Sequence, residues 1–174
     1  AYAEYISVPA KLALPLPDGM STRIGALTEP VGCGVRIAEI AGDVAGKDCL
    51  IIGAGPIGLL ALQALQLKGA ERVFVAELDP DRLSMAEALG AITIQPKQQD
   101  TVETIKEATN GIGVSVSLDA VGTATTRDQC LKSTHATGTM IVSGLHEETS
   151  ALNVAGIIRS EITVKGAFAY SPAN

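Results

Sequence analysis

The chain has 174 residues, of which 47% are hydrophobic and 18% charged, so it is long enough for one domain with a sizeable core and is not disordered. Its net charge of −6 argues against nucleic acid and anionic membranes as partners, because their phosphates would repel it. No apolar stretch reaches the roughly 18 residues of a membrane span, no signal-peptide pattern is present, and the three cysteines lack Cys-x-x-Cys spacing. We therefore expect a cytoplasmic protein without disulfides or a structural zinc site.

The first part of the chain gives weak structural signals. A strand-like stretch at 4–9 is followed at 14–19 by a proline-rich connector that disfavours a helix. A helix is predicted at about 23–40, although Pro30 and several glycines weaken it. The apolar residues that recur there at helical spacing are Leu27, Val31, Val35 and Ala38.

An apolar strand at 49–52 ends in the spacing Gly-x-Gly-x-x-Gly, formed by Gly53, Gly55 and Gly58. Gly53 allows a tight turn, Gly55 lets the backbone approach a phosphate, and Gly58 lets the following helix pack closely on the strand. Pro56 and Ile57 open that helix, whose N-terminus offers unpaired N–H groups and a positive dipole end to an anion. The pattern predicts a turn that binds the pyrophosphate of a dinucleotide.

An acidic residue follows the next predicted strand, 73–76. Glu77 lies 77 − 58 = 19 positions after the third glycine, where a dinucleotide-binding fold places the acid that accepts the adenosine ribose hydroxyls. A carboxylate there would repel a 2′-phosphate, so NAD is the predicted cofactor rather than NADP. For Arg82 the sequence leaves three alternatives: contact with the ribose or a phosphate, neutralisation of Glu77, or exposure to solvent.

Strands and helices alternate from residue 49 onward. The predicted strands are 49–52, 73–76, 91–94, 114–118, 139–143 and 161–165, and the predicted helices are 57–68, 80–89, 101–108 and 124–134. Gly69 and Gly90 follow two of these helices as left-handed caps. The alternation predicts an α/β fold with a doubly wound, six-stranded parallel sheet of the Rossmann type.

Five segments occur in the order and at the spacing of one family: 3–10, 14–19, 25–30, 53–58 and 164–166. On these segments the chain resembles the zinc-dependent medium-chain dehydrogenases, especially the branch of sorbitol, threonine and butanediol dehydrogenases. The resemblance implies that residues 1–22 are the end of a catalytic domain and a connector, and that residues 23–174 are an NAD-binding domain. The rest of the catalytic domain, with the Cys and His ligands of its zinc, is expected to lie outside this chain.

The resemblance also implies roles for individual residues. Glu29 takes the position that faces the zinc, as a ligand or through a water, whereas Cys33 lies near the nicotinamide and is not a metal ligand. Ile57 lies behind the nicotinamide ring, and backbone groups of Ser143, Ala167 and Ala169 contact its carboxamide. The full set expected on the nicotinamide side is Ile57, Ala120, Val121, Gly122, Ser143, Leu145, Ala167 and Ala169.

The activity implied for the full-length enzyme is oxidation of a small secondary alcohol or polyol to a ketone, with hydride transfer to NAD and zinc lowering the pKa of the alcohol. A homodimer is expected through the sheet edge, at 157–158 and 162–164. Two alternatives remain from the residues themselves: an FAD-dependent oxidoreductase and a nucleotide-binding module without chemistry. The buried Cys49 and Cys130 are expected to be apolar fillers, and His135 to be solvated at a helix end.

Overall fold

The computed structural model describes residues 3–170, which form one six-stranded sheet flanked by helices. The strands lie in the order β3-β2-β1-β4-β5-β6, and every neighbouring pair is parallel. Their bounds are β1 Asp48–Ile52, β2 Arg72–Ala76, β3 Ile92–Ile94, β4 Val114–Asp119, β5 Thr134–Val142 and β6 Thr163–Gly166. This strand order confirms the predicted doubly wound α/β fold of the Rossmann type.

Helices cover both faces of the sheet. Their bounds are α1 Thr22–Gly25, α2 Thr28–Ala41, α3 Pro56–Leu67, α4 Pro80–Ala88, α5 Thr101–Ala108, α6 Ala124–Ser133 and α7 Val154–Ser160. Because side chains alternate along a strand, Ile51 packs with α2 and α3, whereas the next residue along β1, Ile52, packs with α5 and α6. The strands therefore carry nearly continuous apolar runs, as expected of a parallel sheet that is covered on both sides.

The predicted helix at 23–40 is wrong in one respect, because two helices cover this range. A continuous helix would bring Pro30 into its interior, where the ring clashes with the carbonyl group of Ala26 and one hydrogen bond is lost. The structure ends α1 at Gly25 and begins α2 at Thr28. Pro30 then lies in the first turn of α2, where its missing N–H group does no harm.

Three other predicted boundaries differ from the structure. The stretch at 4–9 lies outside the sheet and is followed by a 3₁₀ helix at Ala10–Leu12. β5 begins at Thr134 rather than at 139, because its first residues are polar and give no strand pattern. Helix α7 was not predicted, because its seven residues are too few for the helical spacing of Val154, Ile157 and Ile158 to stand out.

Apolar side chains near the start of the described chain remain exposed. Tyr5 is 91% exposed and Leu14 is 82% exposed, so neither contributes to the core. Within residues 3–170, no helix has both the length and the apolar character needed to cross a membrane.

Candidate functional site

The order of the strands creates a crevice at their carboxyl ends. β1 lies between β2 and β4. The strands that follow β1 extend the sheet first on one side, as β2 and β3, and then on the other side, as β4, β5 and β6, so the strand order reverses at β1. Open α/β sheets bind ligands at this switch point, outside the carboxyl ends of the strands. The loops that meet there follow β1, β2, β4, β5 and β6.

The turn after β1 shows a different role for each of its three glycines. Gly53 has a φ of +105°, which residues with a Cβ rarely adopt. A Cβ atom at Gly58 would overlap the carbonyl oxygen of Gly53, so only glycine allows α3 to pack this closely. A Cβ atom at Gly55 would meet no heavy atom within 4 Å, so the turn is open on that side. Pro56 begins α3 without a side-chain cap, which suits a helix N-terminus that receives an anion.

Glu77 connects the end of β2 to this glycine turn. Its Oε2 accepts a hydrogen bond of 2.7 Å from the N–H group of Ala54, and its Oε1 accepts from Leu78 N at 2.7 Å and Asp79 N at 3.0 Å. An ionised carboxylate has about four acceptor positions, so one remains for a further donor. The sequence predicted the position of Glu77 but not its contact with the glycine turn.

Arg82 lies in the first turn of α4, and it is exposed. Its backbone N–H group donates to the Asp79 side chain at 3.1 Å. No ion pair joins Arg82 to Glu77 within the described part of the chain. Neutralisation of Glu77, one of the predicted roles of Arg82, is therefore not observed.

A cleft of about 160 Å³ lies beside the turn and brings together residues from α2, α3 and the loops after β5 and β6. It is lined by Cys33, Ile37, Ile57, Ser143, Leu145, Ala167, Phe168 and Ala169. We call it the nicotinamide-side cleft, because five of its lining residues are ones that the sequence predicted for the nicotinamide. Its walls are mainly apolar, as expected where a flat ring is bound.

Ala120, Val121 and Gly122 do not line this cleft. Ala120 and Val121 pack against the glycine turn, whereas Gly122 packs against Gly144. A Cβ atom at Gly53 would lie 2.7 Å from Cγ2 of Val121. The loop after β4 therefore forms the boundary between the glycine turn and the nicotinamide-side cleft.

Two buried charges behind these loops were not predicted. Asp119, at the end of β4, is fully buried, and Arg127 of α6 is 8% exposed. Oδ2 of Asp119 lies 3.5 Å from Nε of Arg127. A sequence signal was available, because Arg127 falls on the same face of α6 as the buried Cys130 and Leu131, at helical spacings of three and four. An arginine on a buried face needs a partner of opposite charge.

The predicted zinc-facing residue, Glu29, lies in the first turn of α2 and is exposed. Its Oε1 is 3.9 Å from Sγ of Cys33. Burial, and secondly the charge of Glu29, raise the pKa of the Cys33 thiol. Within residues 3–170, no group of three His, Cys, Asp or Glu side chains could hold a metal ion. The described residues therefore do not form a complete zinc site by themselves.

The other cysteines and the histidines have structural environments. Cys49 and Cys130 are completely buried, which confirms their role as apolar fillers. Burial raises the pKa of Cys49 to about 12 and that of Cys130 well above its ordinary value. His135 was predicted to be solvated, but it is half-buried in β5, with Nε2 3.1 Å from Oγ of Ser115. The prediction failed because β5 begins immediately after α6 and carries His135 against β4. His146 is exposed in the loop after β5.

The predicted dimer seam is only partly exposed. Ile158 and Val164 are 70% and 39% exposed, whereas Ile162 is 8% exposed and packs into the core of its own chain. β6 is the edge strand of the sheet, and all four of its residues are exposed.

Comparison with known proteins supports the same fold. (R,R)-butanediol dehydrogenase of Bacillus subtilis is 36% identical over 170 residues, which are 97% of this chain and 49% of that protein. Sorbitol dehydrogenase of Bacillus subtilis is 33% identical over 173 residues, which are 98% of this chain and 49% of that protein. The chain thus spans about half the length of the curated relatives it matches.

Solved structures of relatives have the same architecture. The crystal structure of 2R,3R-butanediol dehydrogenase from Bacillus subtilis superposes with a TM-score of 0.85 at 35% identity, over 90% of this chain and 45% of that one. A structure described as a zinc-binding dehydrogenase from Sinorhizobium meliloti 1021, bound to NADP, superposes with a TM-score of 0.79 at 31% identity, over 84% of this chain and 44% of that one. The family described as zinc-binding dehydrogenase matches residues 56–174, more than half of the chain. With the glycine turn, the strand order and these relatives in agreement, the chain belongs to the zinc-binding dehydrogenase family.

Proposed function

We propose that residues 23–174 are the NAD(H)-binding domain of a dehydrogenase that oxidises a secondary alcohol or polyol to a ketone, and that residues 1–22 are the end of its catalytic domain and a connector. The observation that carries this proposal is the contact of Glu77 with the glycine turn. It brings the carboxylate that would accept a hydrogen bond from the ribose next to the backbone N–H groups that would donate to the pyrophosphate. The same turn adjoins a mainly apolar cleft of the size of a small ring.

On the adenosine side, the remaining acceptor position of Glu77 accepts a hydrogen bond from a ribose hydroxyl. The 2′-phosphate of NADP would bring a second negative charge to within a few ångströms of the carboxylate, which costs about 1–3 kcal/mol in a partly desolvated site. The relative from Sinorhizobium meliloti was crystallised with NADP, so the cofactor preference of this chain has to be measured directly. Arg82, exposed at the start of α4, is the residue that would favour a 2′-phosphate.

On the nicotinamide side, Ile57 and Cys33 would adjoin the ring, and backbone groups of Ser143, Ala167 and Ala169 would hold its carboxamide. When bound, NAD would supply the acceptor for the hydride that the alcohol carbon gives up, while the alcohol proton goes to solvent or a base, so that a ketone, NADH and a proton form. Because the described residues do not complete a zinc site, the part that this chain plays is to bind and orient the dinucleotide.

Calorimetry with NADH and NADPH tests the proposal. We expect NADH to bind more tightly by about 1–3 kcal/mol, which corresponds to roughly 5-fold to 150-fold. Glu77→Gln keeps an acceptor for the N–H group of Ala54 but removes the charge, so it should narrow this difference. Glu87→Gln, which removes an exposed charge near the other end of α4, is the matched control, and it should leave NADH affinity unchanged. Equal affinity for both cofactors in the wild-type chain would contradict the role of Glu77.

The two alternatives from the sequence have their own tests. Membership of the zinc-binding dehydrogenase family argues against the FAD-dependent alternative, and a purified protein without flavin colour would exclude it. A nucleotide-binding module without chemistry would bind NADH equally well. Only the alcohol dehydrogenase activity of a longer protein that contains this domain separates that alternative from the proposal.

A further inference from the structure

Arg127 binds the loop between β5 and α7, residues 143–153, at three points. Its Nη1 donates to Oγ of Ser150 at 2.7 Å, and its Nη2 donates to the carbonyl oxygens of Glu147 at 2.8 Å and Gly144 at 3.4 Å. A guanidinium group presents its donors in a planar, rigid fork, so these contacts define one position for the loop. The loop starts with Ser143 and Leu145, two residues of the nicotinamide-side cleft.

The same guanidinium group faces Asp119 at the end of β4. Nε of Arg127 and Oδ2 of Asp119 are 3.5 Å apart, and neither of these buried atoms has a hydrogen-bond partner within the described structure. The other oxygen, Oδ1 of Asp119, accepts hydrogen bonds from Val121 N at 3.0 Å and Gly122 N at 2.8 Å. Arg127 therefore compensates the buried charge that fixes the loop after β4.

The two loops are also in direct backbone contact. A Cβ atom at Gly122 would overlap backbone atoms of Gly144, so the loops pack as closely as two glycines permit. Glu147 adds a further connection, because its N–H group donates to the carbonyl oxygen of Gly122 at 2.8 Å. A shift of either loop would thus be transmitted to the other.

The direct hydrogen bonds of Arg127 lie in one half of the site. A second cleft of about 450 Å³, which Arg127 itself lines, shares Ser143, Leu145, Ala167 and Phe168 with the nicotinamide-side cleft. The contacts of Glu77, in contrast, are with the glycine turn and the start of α4. None of the hydrogen bonds of Arg127 reaches that adenosine side.

We propose that Arg127 is a positioning residue, which holds the wall of the nicotinamide-side cleft through the loops after β4 and β5 and thereby sets the affinity for the nicotinamide half of the dinucleotide. This inference rests on the proposed NAD(H)-binding function. Arg127 acts through the loops and does not touch the cofactor.

The test compares NADH with ADP, which contains the adenosine, ribose and diphosphate but not the nicotinamide half. Calorimetry on Arg127→Met should show at least a 10-fold loss of NADH affinity and less than a 2-fold change for ADP. The control is Arg72→Met, which breaks the Arg72–Asp48 pair at the opposite, amino-terminal edge of the same sheet. Arg72→Met should change neither affinity.

A second variant separates positioning from general stability. Arg127→Met leaves the Asp119 carboxylate buried without its counter-charge, which lowers the thermal midpoint. The double variant Arg127→Met with Asp119→Asn removes that charge and keeps an acceptor for Val121 and Gly122, so the thermal midpoint should recover while NADH affinity stays low. If Arg127→Met does not fold, the affinities for NADH and ADP are compared in the double variant instead.

Three outcomes decide the inference. A selective loss of NADH affinity that persists in the double variant supports it. Equal losses for NADH and ADP, or recovery of NADH affinity together with stability, would overturn it and leave the proposed function intact. Failure of the wild-type chain to bind NADH would instead overturn the proposed function.

Discussion

Gly58 packs against the carbonyl oxygen of Gly53 so closely that a Cβ atom would overlap it, whereas a Cβ atom at Gly55, between them, meets no atom within 4 Å. Gly53 and Gly58 are therefore required by the fold. Gly55 is not required by the packing of the chain itself, and its φ of −69° is available to any residue. Within this one turn, Gly53 and Gly58 therefore have a structural role, whereas Gly55 is expected to have a ligand-binding role.

Gly58→Ala should destabilise the protein by at least about 2 kcal/mol, because the added methyl group forces α3 away from β1. Gly55→Ala should leave the free energy of unfolding within about 0.5 kcal/mol of wild type, yet lower NADH affinity at least 10-fold, because its methyl group occupies space that the pyrophosphate approaches. Urea unfolding and NADH titration measure the two effects. A Gly55→Ala variant that binds NADH like the wild type would show that the cofactor does not approach this turn.

The buried thiols should make the protein less stable in alkaline solution. The ordinary thiol pKa is 9.0, and burial raises the pKa of Cys49 to about 12 in the folded chain. Above pH 9 the unfolded chain therefore loses a proton that the folded chain keeps, so unfolding becomes more favourable as the pH rises. The free energy of unfolding should fall by up to about 1.4 kcal/mol per pH unit for each such thiol.

Urea unfolding at several pH values from 8 to 11 measures this slope. Other groups also titrate in this range, so the informative quantity is the difference between the wild type and Cys49→Ala or Cys130→Ala. Each variant should be less stable at neutral pH, because it leaves a small cavity, but should lose less stability above pH 9. Identical slopes in wild type and variants would contradict the environments described for Cys49 and Cys130.

The exposed edge of β6 should bind a second copy of the chain. Val164 lies on this edge strand and is 39% exposed, and Ile158 of α7 is 70% exposed. An edge strand has unpaired backbone groups, and a two-fold partner would pair them symmetrically and continue the sheet across both chains. Val164→Lys should shift a dimer to monomer in sedimentation, while Val154→Lys, on the first turn of α7, is the nearby control. A wild-type chain that sediments as a monomer at micromolar concentration would contradict the proposal.

The isolated 174-residue chain should bind NADH but oxidise no alcohol and hold no stoichiometric zinc. Glu29 alone is short of the three protein ligands that a catalytic zinc requires, and within residues 3–170 no group of three His, Cys, Asp or Glu side chains could hold a metal ion. Metal analysis, alcohol turnover and NADH fluorescence test the three parts. Alcohol turnover by this chain that survives a chelator would contradict both the zinc-dependent mechanism and the assignment of residues 23–174 as a cofactor domain.

Glu29 itself can be tested in a longer protein that contains this domain. There, Glu29→Ala should lower kcat at least 10-fold and change NAD affinity less than 2-fold, because Glu29 does not line the nicotinamide-side cleft. A parallel loss of NAD affinity would instead indicate that α2 supports the cofactor site.

The sequence by itself determined the fold class and the glycine turn. The spacing of Gly53, Gly55 and Gly58 and the alternation of apolar strands with helices are local patterns, because backbone sterics and side-chain periodicity act within a few residues. Residue Glu77 was found in the same way, from its distance along the chain. Local patterns were less reliable where a segment is very short, as at α7, or polar, as at the first residues of β5.

Only the tertiary structure decided which distant groups meet. The bond between Glu77 and Ala54 spans 23 residues, and the contacts of Arg127 with Gly144 and Ser150 span 17 and 23 residues. No local pattern encodes these pairs, because they depend on which strands are neighbours and on how far each loop extends. A buried arginine satisfies its donors wherever the folded chain brings acceptors within reach, and that choice is made by packing, not by spacing along the sequence.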